Sequence, residues 1–65
     1  MDISYAPLFK TMQTLGVSQY KLMRDTPLDY HTMQSIREGK NISTKTLGKI
    51  CKCLNCTPND VITFQ

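Results

Sequence analysis

A proline at position 27 divides the middle of this chain into two helical segments, and the residues around it narrow sharply what the chain can become. Ser18 suits a helix N-cap, because its hydroxyl can accept from an amide that the first helical turn leaves unpaired. Leu22 and Met23 supply an inward face. Thr26-Pro27 then ends the segment, since the residue before a proline is pushed out of the α region. Asp29 caps the next helix at once, with Leu28 just ahead of it as one half of a hydrophobic staple. Met33 and Ile36, three apart, share one face of that helix. Its other positions, Tyr30, His31, Thr32, Gln34 and Ser35, are polar or amphipathic and carry no fixed charge. An ordinary surface helix would carry several Lys or Glu, so this face is suited to touching something other than water.

The flanking segments read as further short helices. From about Ala6, Leu8, Met12 and Leu15 recur at helical spacing, with Pro7 tolerable in the first turn and Gly16 closing the segment as a left-handed stop. After the central pair, Glu38-Gly39-Lys40-Asn41 is a loop in which Gly39 or Asn41 can take a left-handed conformation. Ser43 opens the next helix, whose Leu47, Ile50, Cys51 and Leu54 form the most regular apolar stripe in the chain. Asn55 fits the left-handed stop, with Cys56 folding back on the stripe. Thr57-Pro58-Asn59-Asp60 starts a last short helix running toward Ile62. The ends, Ile3-Ser4-Tyr5 and Val61-Ile62-Thr63-Phe64, have strand-like composition and are expected to pair. The sum is an all-α domain of five short helices with a two-stranded sheet joining the tails.

At 65 residues the chain is one domain, 1–65, near the size where a single core is marginal, with no room for an interdomain cleft. Its 40% apolar and 20% charged residues suit a globular class without a membrane span. The N-terminus lacks the basic and apolar regions of a signal peptide, which predicts a cytoplasmic location. A net charge of +3 and an isoelectric point near 8.9 permit nucleic-acid binding without requiring it.

These residues resemble the Cro/repressor-type helix-turn-helix domains of the XRE-like class, which includes phage repressors and small bacterial regulators. Gln19 matches the glutamine that opens the motif in many members, Leu22 its buried leucine, Leu28 the apolar residue after the turn, and Met33 and Ile36 the inward positions of the recognition helix. Leu54-Asn55-Cys56-Thr57 is similar to the family's Leu-Gly-Val-Ser junction, and the two tails resemble those of a compact subgroup of stand-alone regulators. The resemblance implies a lambda-repressor-like five-helix bundle. The chain departs from the pattern at Pro27, where the family usually has glycine, and at Met23, where it usually has a small residue, often alanine. Proline resists the positive φ that glycine supplies, so the turn is expected to differ locally.

A recognition helix of this kind enters the major groove with its N-terminal residues at base edges. Tyr30, His31, Thr32, Gln34 and Ser35 are then the base-contact candidates, Gln34 by pairing with an adenine edge and Tyr30 or Thr32 by contacting a thymine. The phosphate-contact candidates are Gln19, Lys21, Arg37, Lys40, Asn41, Ser43, Thr44 and Lys45. Gln19 lies at one helix start, and Ser43 and Thr44 lie at another, where free amides favour an anion. The expected partner is double-stranded DNA, bound by a homodimer on a pseudo-palindromic site, because one small domain covers little DNA. A protein-interaction module on the same scaffold is the alternative.

Cys51, Cys53 and Cys56 invite a metal reading with His31 as a fourth ligand. Positions two apart on a helix point about 200° away from each other, so Cys51 and Cys53 cannot converge, and core packing of Cys51 and Cys56 is the expectation. No metal, cofactor or small-molecule ligand is expected. One histidine, without a carboxylate at recognisable spacing or a Gly-rich phosphate loop, argues against catalysis.

Overall fold

The computed structural model describes residues 2–65. Chain order is β1 (Ile3–Ser4), α1 (Ala6–Leu15), α2 (Gln19–Asp25), α3 (Tyr30–Arg37), α4 (Thr44–Leu54), a 3₁₀ turn (Pro58–Asp60) and β2 (Thr63–Phe64). The helix starts follow from the caps. Ser18, Asp29 and Ser43 each accept, through the side chain, the amide three residues on, those of Lys21, Thr32 and Thr46 at 3.1, 2.7 and 3.2 Å.

All four α-helices stop by one backbone device. An amide reaches back five residues to a carbonyl, Val17 to Met12, Leu28 to Met23, Lys40 to Ser35 and Cys56 to Cys51, at 2.8, 3.1, 2.8 and 2.9 Å. This is the closing bond of a Schellman motif, and it needs a left-handed residue just before the donor. Gly16, Gly39 and Asn55 fill that place with φ of +69°, +73° and +52°, whereas after α2 it is Pro27, at φ +24°. The turn therefore keeps the sign that the family's glycine gives it, but falls short of the left-handed value near +57°. A pyrrolidine ring prefers φ near −65°, so the backbone is strained there. Proline also has no amide for the second bond of the motif. Beside it, the hydroxyl of buried Thr26 has no partner among the described residues.

The expected fifth helix is only the three-residue turn Pro58–Asp60. The Asp60 carboxylate accepts from the Thr57 amide at 3.2 Å, and the start signal works. Propagation fails because Val61 is fully buried and its carbonyl accepts the Leu8 amide at 3.1 Å, which turns the chain toward β2. The bundle thus has four α-helices rather than five, with a small sheet. β1 and β2 run antiparallel, Ile3 opposite Phe64 and Ser4 opposite Thr63.

The core takes Tyr5, Leu8, Met12, Leu22, Met33, Ile36, Ile50, Leu54 and Val61, so every α-helix contributes to it. Met23 is accommodated as a half-buried residue packed against this cluster. Leu15 departs from its apolar pattern and is 52% exposed, because in the last turn of α1 it lines an open surface hollow with Asn59 and Asp60 of the 3₁₀ turn instead of entering the core. Tyr5, expected in a strand, instead stands at the N-cap of α1.

Candidate nucleic-acid interface

With Met33 and Ile36 buried, the rotation of about 100° per residue points His31, Gln34, Ser35 and Glu38 most directly away from the core. Tyr30 and Thr32 lie on the two flanks of that face. Tyr30 and His31 are exposed, whereas Thr32, Gln34 and Ser35 are half-buried. The Tyr30 and His31 rings meet edge to face at 6.5 Å. Thr32 is partly engaged by the fold: its amide donates to Asp29 Oδ1 at 2.7 Å, and Thr32 holds that carboxyl below the usual carboxylate range. The five base-contact candidates are thus brought onto one exposed side of α3, three in the middle and two at its margins.

The phosphate-contact candidates fall into two groups. Arg37 donates through Nε to Gln19 Oε1 at 2.8 Å and through Nη1 to Gln34 Oε1 at 3.3 Å, and so ties the start of α2 to the middle of α3. Lys40 pairs with Glu38 at 3.2 Å. Glu38 in turn is held below the usual carboxylate range by Lys40 first and by a hydrogen bond from Gln34 second. Gln19, Arg37 and Gln34 thereby form one polar group along the edge of α3, and Glu38 and Lys40 form a second at its C-terminal end. The remaining candidates, Lys21, Asn41, Ser43, Thr44 and Lys45, are exposed. Ser43 is also committed to its cap, since its hydroxyl donates to Thr46 Oγ1 at 2.9 Å.

Two residues that sequence reasoning left out belong to this region. Glu38 follows Gln34 by four positions, and continuing the helical face by one more turn would have found it. Tyr5 gave no such signal: its hydroxyl donates to the Lys40 carbonyl across 35 positions of sequence. Because the Lys40 amide is already bonded to Ser35, the peptide groups on both sides of Lys40 are fixed. Burial raises the Tyr5 phenol above its ordinary value, which keeps it the neutral donor.

The geometry is that of two short helices across a tight turn, the second presenting a polar face with lysines around it. A model of the Cro/C1-type helix-turn-helix DNA-binding domain matches residues 8–65. The chain belongs to that family. Its structure is similar to that of the transcriptional regulator VanUg, with a TM-score of 0.93 at 26% identity over 95% of this chain and 83% of that one. No curated protein sequence matches it. In this Cro/C1-type domain, the resemblance carried by Gln19, Leu22, Leu28, Met33 and Ile36 places α2 and α3 as the helix-turn-helix pair. Among the described residues no helix is long and apolar enough to cross a membrane. None of them form a group of three or more His, Cys, Asp or Glu able to hold a metal.

Proposed function

We propose that this chain is a sequence-specific transcriptional regulator of the cytoplasm, which binds an operator by docking α3 in the major groove as one half of a homodimer. The observation that carries the reading is the outer face of α3: polar, uncharged through Ser35 and supported by side-chain hydrogen bonds from Arg37, within a chain whose residues 8–65 match a DNA-binding domain. His31, Gln34 and Ser35 would meet base edges, with Tyr30 and Thr32 at the groove walls. Gln34 is oriented for this, because Arg37 holds its amide oxygen, and a glutamine reads adenine by presenting donor and acceptor together. Lys21, Lys40, Asn41, Thr44 and Lys45 would position the duplex through phosphates, with Gln19, Arg37 and Ser43 contributing from the ends of α2, α3 and α4. Regulation would follow from occupancy of the operator.

The test begins with selection of bound sites from a random duplex library and continues with paired titrations on the selected site and on random duplex. Gln34→Ala should lose about 1–3 kcal/mol of specific affinity while binding to random DNA, which rests on phosphates, barely changes. The Tyr30/His31/Thr32 triple alanine variant should lose specificity in the same way. Lys45→Ala should weaken both alike and lower the salt slope by about one unit. If both α3 variants keep the wild-type ratio of specific to random affinity, α3 is not the reader, and a protein-interaction role on this scaffold becomes the better account.

A further inference from the structure

The stop after α4 differs from the other three in what its side chains carry. In a Schellman motif the residue that accepts the closing bond and the residue that donates it commonly touch through their side chains. After α4 these two residues are Cys51 and Cys56, and both are half-buried against the core cluster. Their backbones are joined by the 2.9 Å bond from the Cys56 amide to the Cys51 carbonyl, which draws the two residues together as a disulfide, with its Cα span of about 4.4–6.8 Å, requires. The Cys56 proton is held more tightly than usual, by burial first and then by the neighbouring Cys51 and Asp60. Cys53 is exposed and points about 200° away from Cys51, so it is outside the pair while α4 is intact.

We propose that Cys51 and Cys56 are a redox modification site, a dithiol that peroxide converts to a disulfide stapling the C-terminal stop of α4. Hydrogen peroxide is the oxidant. The Cys51 sulfur attacks one peroxide oxygen, the O–O bond breaks, and Cys51 sulfenic acid and one water result. The Cys56 sulfur then displaces the hydroxyl from Cys51, forming the S–S bond and releasing a second water. The two thiols lose two electrons and two protons in total, and both peroxide oxygens leave as water. A dithiol reductant reverses the reaction. The staple restrains Asn55 in its left-handed conformation and fixes the lead into the 3₁₀ turn that seats Val61 under α1. Cys51, its nearer end, lies about two turns of helix from Ser43 and Thr44, so the surface proposed for DNA is left as it is.

The full chain treated with hydrogen peroxide should remain monomeric and lose the mass of two hydrogens. Cys51 and Cys56 should become protected from alkylation, while Cys53 stays reactive. Cleavage after Lys52 should leave the two resulting peptides joined until a reductant is added. The Cys53→Ser variant should behave as wild type, melting higher when oxidised than when reduced, and Cys51→Ser should give no intrachain bond. Alkylation of all three cysteines after treatment, sulfinic acid in place of the bond, an oxidised form that melts no higher, or dimers joined through Cys53 would each overturn the proposal.

Discussion

The ends of α2 and α4 use one backbone device with different residues in its demanding position. After α4 the left-handed place is held by Asn55 at φ +52°, a residue whose short polar side chain tolerates that conformation. After α2 it is held by Pro27 at φ +24°, a residue whose ring resists it. The closing bonds differ accordingly, 2.9 Å after α4 and 3.1 Å after α2, and the unpartnered Thr26 hydroxyl lies on the α2 side. The strained stop joins α2 to α3, the pair proposed to bind DNA, and the relaxed one ends α4. Strain of this kind persists only where surrounding packing over-determines it. Here Leu22, Met33 and Ile36, all buried, hold α2 and α3 in place from beneath.

The comparison can be broken most severely from below. Ile50, fully buried on α4, anchors the relaxed side, and Ile50→Ala should destabilise the domain by about 2–5 kcal/mol. Total stability for a domain of this size is about 5 kcal/mol, so the variant should be close to unfolded at room temperature. A wild-type denaturation midpoint would mean that α4 buries a different face.

Replacing the two stop residues sharpens the contrast directly. Pro27→Gly relieves the ring strain but gives the unfolded chain more freedom, and the balance should be a gain of about 1–2 kcal/mol, seen as a rise of roughly 4–8 °C in Tm for each kcal/mol. Asn55→Gly should change stability by only a few tenths of a kcal/mol, since asparagine already accepts the conformation. A lower Tm for Pro27→Gly would show that the proline turn is relaxed in solution and that the two stops are equivalent.

The helices that follow the two loops offer the finest test. α3 is capped by Asp29 and α4 by Ser43, and only the first cap can titrate. The Asp29 carboxyl is held below its ordinary value by Thr32, so its folded pKa lies under its unfolded one. Its contribution is therefore present above the unfolded value near pH ~4 and is lost as pH falls through the lower folded value. Asp29→Asn keeps a competent cap and should flatten the acid limb of Tm against pH. Ser43→Ala should lower Tm by the equivalent of about 1 kcal/mol and leave the shape of that limb unchanged. An acid limb identical in Asp29→Asn and wild type would remove Asp29 from the titrating set.

What could be read from the sequence was local. The caps Ser18, Asp29 and Ser43, the stops Gly16 and Asn55, and the buried pairs Met33/Ile36 and Ile50/Leu54 each depend on residues within a few positions of one another, where spacing and chemistry speak directly. The last helix failed because Thr57 and Pro58 announce a start while nothing nearby announces that Val61 will be drawn into the core under α1. Leu15 failed for the converse reason: its spacing is right, but it faces an open hollow beside Asn59 and Asp60 instead of the core. In the candidate interface, the polar face of α3 was legible by residue type. The Arg37 bond to Gln19 and the Tyr5 bond to Lys40 join segments 18 and 35 positions apart, and no local pattern encodes them.

The small sheet has a mechanical meaning. Asp2 and Gln65 exchange backbone hydrogen bonds at 2.8 Å in both directions, and the pairing continues inward through Ile3 with Phe64 and Ser4 with Thr63. In an antiparallel pair these bonds run perpendicular to the strands. A pull applied at Asp2 and Gln65 therefore acts along the bonds and meets them one rung at a time, as a zipper opens, instead of shearing all of them at once. The next attachment inward is the bond from the Leu8 amide to the Val61 carbonyl, so peeling the rungs frees the seat of Val61 before any helix is loaded lengthwise. Against a load applied at this pole the domain yields at low force, however well its helices resist heat.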